Sequence, residues 1–401
     1  MAALAAGCGS PSPSKNVSTG AGSGRAPTYT IGVLTDVTGP ASSGNKTSVQ
    51  GVQAGITWAS QNGYHFRYVV GDTQTSPSGA LSAAQTLVEQ DHAFVVVADS
   101  ALTFAAASYL TQHDVPVIGA AQDASEWQTS KNMFSVFGAL HSNEVATTFG
   151  QFFKLEGVTN LGSLGYSISP ISSEAAKASA VSAQAAGIRV GYLNASFPFG
   201  GTNVQPVALA MKQAGINGFT ASVDPNTGFS LITALRQLGV KLKAALLATG
   251  YGGDLLQAGP GALQEAQDVY FGLGYEPLEM HTPATQQFAA ALRSVGVTGD
   301  PTVAEYNTYA SVILLVQALQ AAGPNPTQAS LIAALSGIHD FTAGGLYGTH
   351  HLDINNRTSI VSGVDNCEWV TKLSGSTFQL VPGADPICGS VIPGQTVTPS
   401  S

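Results

Sequence analysis

The sequence has few charged residues. Only 10% of its 401 residues are Asp, Glu, Lys or Arg, against about 25% in typical soluble domains. Acidic residues number 24 and basic residues 15, which gives a net charge of -9, and no Lys/Arg cluster occurs. Because a nucleic-acid backbone needs a basic surface, we expect no nucleic-acid partner.

Long apolar runs and enzyme signatures are also missing. The sequence contains no run of 18 apolar residues, so no segment predicts a transmembrane helix. It contains no GxSxG, HExxH or CxxC motif. Adjacent histidines in a strand point to opposite faces, so we interpret His350, His351 and Asp353 as a surface turn. We therefore expect no catalytic residues, no metal and no cofactor.

Cysteine is scarce, and its placement is informative. The chain has three cysteines, Cys8 near the start and Cys367 and Cys388 near the end. An isolated late pair favours a disulfide and an oxidising compartment, with two buried free thiols as the alternative.

The N-terminal segment combines a candidate acylation site with a tether. Residues 9 to 27 are mostly Gly, Ser, Pro and Thr, as is typical of a flexible tether. The preceding LAAGC resembles a bacterial lipobox, although Ala5 stands where Leu is usual. Seven residues cannot hold a signal peptide, so either the start is misassigned or the chain is truncated. We expect lipidation at Cys8.

From Tyr29 onward, short apolar runs alternate with segments of helical spacing. The predicted strands cover 29–35, 66–70, 93–98, 115–121, 161–166, 188–193, 218–223, 244–249 and 268–274. The predicted helices cover 47–60, 79–90, 102–112, 173–186, 204–214, 228–238, 284–295, 302–321 and 328–336. Uninterrupted apolar strands separated by helices indicate parallel sheets covered on both faces.

Two successive sets of this kind predict an α/β fold with two doubly wound parallel-sheet lobes. We expect the first lobe at 29–147 plus about 275–338, and the second at 148–274 plus about 339–390. Residues 1–28 are expected to form the lipobox and tether, and 391–401 a disordered tail.

Polar residues follow the predicted strands at the edge where such sheets bind ligands. They are Thr38, Ser100, Gln122, Asp123, Ser172, Asp224, Asn226 and Tyr251. We expect Ser100, which precedes a helix with free N–H groups, to donate to an anionic or carbonyl oxygen of a small ligand. Asp224 is expected to receive a donor or cation, and Tyr251 to pack on the ligand body. The alternative for any single Ser, Asp or Asn is an ordinary helix cap.

The segment from Gly39 to Thr47 resembles a phosphate-binding loop. That loop needs Lys directly after its second Gly, but Asn45 intervenes here and shifts Lys46 and Thr47 by one residue. A P-loop-like NTPase is therefore the weaker alternative.

Several motifs point to one family when they are taken in order. They are IGVLTDVTGP, GDTQTSPSGALSAAQTLVEQ, VPVIGAA, FGGTN, ALRQLGVK and YNTYASVILLVQAL. Over residues 29–389 the chain resembles the type I periplasmic binding proteins of the branched-chain amino acid (Leu/Ile/Val) class, which serve ABC importers. The resemblance implies a hinged two-lobe clamp, or Venus flytrap, that holds its ligand in the cleft. Cys367 and Cys388, with Trp369 between them, resemble the C-terminal bridge of actinobacterial members.

The resemblance also bears on the ligand. The family's ligand-contacting Ser falls on Ser100, and its acidic residue for the ligand ammonium falls on Gly250. A buried ammonium needs a carboxylate, so an ordinary α-amino acid is not expected unless Asp224 or Asp123 supplies one.

The sequence therefore predicts an extracytoplasmic substrate-binding component of an ABC importer. It would bind a small polar or amphipathic ligand, such as an amino acid, amide or small organic acid. Expected partners are this ligand, a membrane ABC permease, and the outer face of the cytoplasmic membrane through a lipid on Cys8, with the protein itself a monomer. A ligand-sensing receptor of the same fold remains open as an alternative.

Overall fold

A computed structural model describes residues 27–138, 141, 143–356 and 363–400. The first lobe is built on a five-stranded parallel sheet in the order β2-β1-β3-β4-β5. Its strands are β1 (Thr28–Thr35), β2 (His65–Asp72), β3 (Val95–Asp99), β4 (Val117–Gly119) and β5 (Met133–Ser135). All five residues of β3 are buried, because helices cover both faces of this sheet.

Helices from two separate parts of the chain cover the first sheet. The N-terminal ones are α1 (Ser42–Asn45), α2 (Ser48–Gln61), α3 (Pro77–Glu89), α4 (Phe104–Gln112) and α5 (Glu126–Thr129). The later ones are α12 (Pro283–Ser294), α13 (Val303–Ala322) and α14 (Gln328–Leu335). Helix α13 packs directly on α2. Gly51 permits this contact, because a Cβ there would lie 2.1 Å from Thr308 Oγ1.

The second lobe is built on a mixed sheet in the order β13-β12-β11-β10-β9-β7-β8, with β14 paired to β12. Its strands are β7 (Asn160–Tyr166), β8 (Arg189–Phe197), β9 (Gly218–Ser222), β10 (Ala244–Leu247), β11 (Tyr270–Leu273), β12 (Cys367–Ser374), β13 (Thr377–Leu380) and β14 (Ile387–Cys388). Strands β7 to β11 are parallel, and the three later strands add antiparallel pairs. Its helices are α6 (Thr148–Leu155), α7 (Pro170–Ala185), α8 (Gln205–Gln213), α9 (Pro225–Gln237), α10 (Asp254–Ala258) and α11 (Ala262–Glu265).

The architecture confirms the predicted α/β fold with two parallel-sheet lobes. In the part of the chain that the structure describes, short 3₁₀ turns occur at Leu278–Met280, Ala343–Gly345 and Val364–Asn366. Where the chain crosses between the lobes, Tyr275 stacks on Tyr306 and Tyr347 with ring centroids 5.3 and 5.4 Å apart. Among the helices of the described residues, none combines the length and hydrophobicity needed to cross a bilayer.

The C-terminal segment differs from its prediction. Strand β15 (Val391–Thr396) pairs antiparallel with β6 (Glu144–Ala146), and Val397 N–H donates to the Asn143 carbonyl at 2.7 Å. The prediction of a disordered tail is therefore wrong for residues 391–396, because backbone pairing with a distant segment orders them.

Candidate functional site

A cavity of about 310 Å³ lies between the lobes and continues into the second lobe, between its sheet and helices α6 and α7. Its size is at the lower end of the roughly 300–1,000 Å³ of small-molecule sites. Ala175, Ala176 and Ser179 of α7 and Gly272 of β11 line it. The space exists because these side chains are small where the helix faces the sheet.

The two lobes touch beside this cavity. The backbone carbonyl of Asp123 in the first lobe accepts hydrogen bonds from Ile171 N–H at 3.1 Å and from the Ser169 hydroxyl at 3.2 Å, both in the second lobe. Helix α1 also approaches α9, so that a Cβ on Gly44 would lie 3.7 Å from Pro225. Hydrogen bonds to the Asp123 carbonyl therefore join the two lobes beside the cavity.

Three of the predicted site residues line the cavity: Gln122, Ser172 and Asp224. Asp224 also caps α9, where its carboxylate accepts from Thr227 N–H at 3.0 Å, from the Thr227 hydroxyl at 2.8 Å and from the Tyr166 hydroxyl. Ser172 accepts from Tyr166 N–H at 2.8 Å and donates to the Ser222 carbonyl. Part of the polar capacity of this set is thus used within the second lobe.

The other five predicted residues do not line the cavity. Thr38 and Asn226 are exposed at the surface. Asp123 is fully buried, and its carboxylate accepts from Phe104 N–H at 2.7 Å and from Trp127 Nε1–H at 3.1 Å. Tyr251 is buried in the core and donates its hydroxyl to Glu279 Oε2 at 2.8 Å.

Ser100, the fifth of these residues, is fully buried beside Asp36. Its hydroxyl donates to Asp36 Oδ1 at 2.7 Å, and Ala101 N–H donates to Asp36 Oδ2 at 2.9 Å. Asp36 further accepts from Asn45 Nδ2 at 2.7 Å and from the Thr73 hydroxyl. The N–H group of Ala101, in the turn between Ser100 and α4, therefore donates to a carboxylate of the protein itself. Ligand contacts by these five residues stay predictions of the sequence alone.

A second buried carboxylate, Asp99, orients two amides of the cavity wall. It accepts from Ser48 Oγ at 2.8 Å, from Asn307 Nδ2 at 3.2 Å and from Gln122 Nε2. Burial raises the pKa of Asp99 to about 7. One N–H of each amide is committed to Asp99, so the amide oxygens of Gln122 and Asn307 and a second N–H of each remain for other partners. Asn307 Oδ1 is buried and has no hydrogen-bond partner among the described residues.

Glu368 on β12 lines the part of the cavity inside the second lobe. A Cβ added to Gly272 would lie 3.2 Å from its Oε2. Burial raises the pKa of Glu368 from 4.5 to about 7, and a hydrogen bond from Gly363 N–H opposes that rise. Among the described lining residues, Asp224 and Glu368 are the two carboxyl groups, and there is no Lys, Arg or His.

Sequence reasoning missed Asp36, Asn307 and Glu368. Asp36 directly follows β1, so the rule that selected Ser100 also applied to it. Glu368 is the second residue of β12, next to Cys367, but nothing local indicates that this strand reaches the cavity.

The predicted disulfide between Cys367 and Cys388 is present. Within the described part of the chain, His350, Cys367 and Cys388 are the one group with metal-ligand spacing, but the disulfide leaves no thiolate. His350 Nδ1 instead lies 2.9 Å from Asp365 Oδ2, and His351 pairs with Asp340. Cys8 lies outside the described residues.

Comparison with known proteins identifies the fold. A family model described as periplasmic binding protein matches residues 28–367. The leucine-binding protein LivK of Thermotoga maritima is 15% identical with a TM-score of 0.71, covering 88% of this chain and 97% of that chain. LivJ of Streptococcus pneumoniae, solved with isoleucine, is 18% identical with a TM-score of 0.71, covering 91% and 99%.

An ABC-transporter solute-binding protein of Rhodopseudomonas palustris, solved with 4-hydroxybenzoate, is also similar. It is 16% identical with a TM-score of 0.73, covering 92% of this chain and 98% of that chain. A comparison with curated protein sequences found no match.

Proposed function

The chain belongs to the periplasmic binding protein family, and we propose that it is the extracytoplasmic substrate-binding component of an ABC importer. The family is one of solute-binding proteins, and it implies an extracytoplasmic location. The observation that carries the proposal is the cavity between the lobes, whose edge is bridged by hydrogen bonds to Asp123. We further propose that Cys8 carries the lipid anchor and that the monomer delivers its ligand to a membrane permease.

The ligand we propose is small and amphipathic. Apolar groups of Phe149, Ile168, Phe199, Leu246 and Leu247 line much of the cavity. Burying such a ligand body contributes about 25 cal/mol per Å² of apolar surface, while the amides and carboxyls orient it. An α-amino acid bound through its carboxylate next to Ser100 is disfavoured, because Asp36 already occupies those donors.

A pair of matched variants tests whether this cavity binds the ligand. Ala175 on α7 lines the cavity, whereas Ala185 on the same helix is exposed. Ala175→Leu should fill the cavity and abolish the thermal shift that a hit from a metabolite library gives to the wild type. Ala185→Leu should leave that shift unchanged. Equal binding by both variants would place the ligand elsewhere and overturn the proposal.

Once a ligand is identified, transport is tested in the native cell. Deleting the gene should abolish uptake of that ligand, and the wild-type gene should restore uptake while the Ala175→Leu gene should not. Undiminished uptake in the deletion strain would contradict the importer role.

A further inference from the structure

We infer, on the basis of the proposed binding function, that the ligand is an amphipathic amine and that Glu368 receives its amino group at the inner end of the cavity. The inference depends on three features of the lining. The first is a set of amide acceptors in the first-lobe wall. The second is the Ala101 N–H group, which already donates to Asp36. The third is the carboxyl group of Glu368, which can accept further hydrogen bonds.

The first-lobe wall offers acceptors. One N–H of the Gln122 amide and one of the Asn307 amide donate to Asp99, and one N–H of Asn45 donates to Asp36. The amide oxygens of these three lining residues remain as acceptors, and each amide keeps a second N–H. Asn307 is 2% exposed, and its Oδ1 has no partner among the described residues. A buried acceptor of this kind disfavours a ligand carboxylate beside it.

An anionic ligand finds no positive partner among the described residues of the lining. The described lining residues include no Lys, Arg or His. The N–H group of Ala101 already donates to a carboxylate of the protein, that of Asp36. Burying a ligand carboxylate among these acceptors would leave its charge uncompensated, which is costly.

The two lining carboxyl groups, Asp224 and Glu368, differ in the number of hydrogen bonds that they accept from the protein. Asp224 accepts three hydrogen bonds within the second lobe, two from Thr227 and one from Tyr166. Glu368 has a backbone N–H partner at Gly363, and no salt bridge to it occurs among the described residues. A carboxylate has about four acceptor sites, so Glu368 retains the capacity to bind an ammonium group.

The protonation chemistry agrees with this assignment. Burial raises the pKa of Glu368 to about 7, whereas alkyl ammonium groups such as that of Lys titrate at about 10.4. An amine that enters the cavity therefore arrives protonated, and its charge favours the ionised carboxylate. The ligand body then extends from Glu368 along Phe149 and Leu246 towards the cleft.

The test uses matched probes that differ only in their polar group. Phenethylamine, phenylacetate and phenethyl alcohol form one set, and isoamylamine, isovalerate and isoamyl alcohol form another. Binding to the whole protein is measured by calorimetry and by thermal shift. We expect the amines to bind the wild type and to bind Glu368→Gln at least tenfold more weakly. Glu265→Gln, which carries the same substitution outside the cavity, should bind like the wild type.

Each other outcome overturns the inference in a distinguishable way. Binding of acids or alcohols in preference to amines would refute the amine assignment and leave the proposed binding function intact. Tight amine binding by Glu368→Gln would refute the role of Glu368. If Glu368→Gln does not fold, Glu368→Asp replaces it and should retain the preference for amines. A wild type that binds no probe of any class refutes the inference and counts against the binding function as well.

Discussion

The Ser100 hydroxyl donates a hydrogen bond of 2.7 Å to Asp36 Oδ1, and both residues are fully buried. The same carboxylate accepts from Ala101 N–H, so it lies where backbone donors before α4 would hold a bound anion. The first lobe therefore satisfies the Ala101 N–H of the turn before α4 with its own carboxylate. This arrangement explains why a serine at the end of β3 does not line the cavity.

Asp36→Ala should destabilise the protein and create an anion site. The side chains of Asn45, Thr73 and Ser100 would lose a charged acceptor. Hydrogen bonds to charged groups contribute about 1.5–3 kcal/mol each, so the free energy of unfolding in urea should fall by at least about that amount. Added formate should occupy the vacated space and restore part of the loss.

Asp36→Asn serves as the control for this rescue. The variant loses the charge but keeps the side-chain volume, so formate has no space to enter. If formate stabilises Asp36→Asn as much as Asp36→Ala, the anion position before α4 does not exist.

Much of the fold could be predicted because its pattern is local. Strand β3 is apolar up to its last residue, Asp99, and helix α13 follows Thr302, which forms a capping box with Glu305. Strand β15 could not be predicted in this way, since its sequence VIPGQT has no strand pattern and its partner β6 lies far away in the chain.

The site could be predicted only in part. The rule that ligands bind beyond the carboxyl ends of parallel strands selected Gln122, Ser172 and Asp224, which line the cavity. The same rule cannot tell which polar groups already form hydrogen bonds within the protein, as Ser100 does with Asp36. Glu368 reaches the cavity through an antiparallel strand added late in the chain, and such pairing depends on tertiary structure.

Gly51→Ala should destabilise the first lobe. A Cβ there would lie 2.1 Å from Thr308 Oγ1 and 2.5 Å from the Glu305 carbonyl, and overpacking of this kind typically costs about 1–3 kcal/mol. Helix propensity alone would favour Ala by up to about 1 kcal/mol. The sign of the change in the free energy of unfolding therefore shows which of the two effects is larger. Thermal unfolding of Gly51→Ala and of the exposed control Gly299→Ala measures it, and a stabilised Gly51→Ala would show that α2 and α13 lie further apart.

Breaking the disulfide should affect stability and binding together. Cys367 and Cys388 are 21 residues apart, and closing a loop of this size contributes about 3 kcal/mol in the chain-entropy model. Cys388→Ser should lower the unfolding free energy by about that amount and weaken amine binding, since Glu368 directly follows Cys367 on β12. Under denaturing, non-reducing conditions, thiol titration of the wild type should detect at most Cys8. Two further reactive thiols would contradict the bridge.

Glu368 should make the protein less stable as the pH rises. Its pKa lies at about 7 in the folded protein against an ordinary value of 4.5, so between these values the folded state binds a proton that the unfolded state releases. The stabilisation from this group is fully present below pH 4.5 and is lost as the pH rises through about 7.

The difference in unfolding free energy between the wild type and Glu368→Gln, followed across pH, gives the contribution of Glu368 alone. Asp99 and Glu305 also have pKa values raised to about 7 by burial, but both remain in the variant, so their contributions cancel. A neutral Gln does not titrate, and a pKa that differs by one between the folded and unfolded states corresponds to about 1.4 kcal/mol of stability. Urea unfolding from about pH 5 to about pH 8 should therefore show Glu368→Gln gaining stability relative to the wild type on the order of a few kcal/mol. Parallel stability curves across this range would mean that Glu368 is hydrated as in the unfolded chain, and that the inner end of the cavity is open to water.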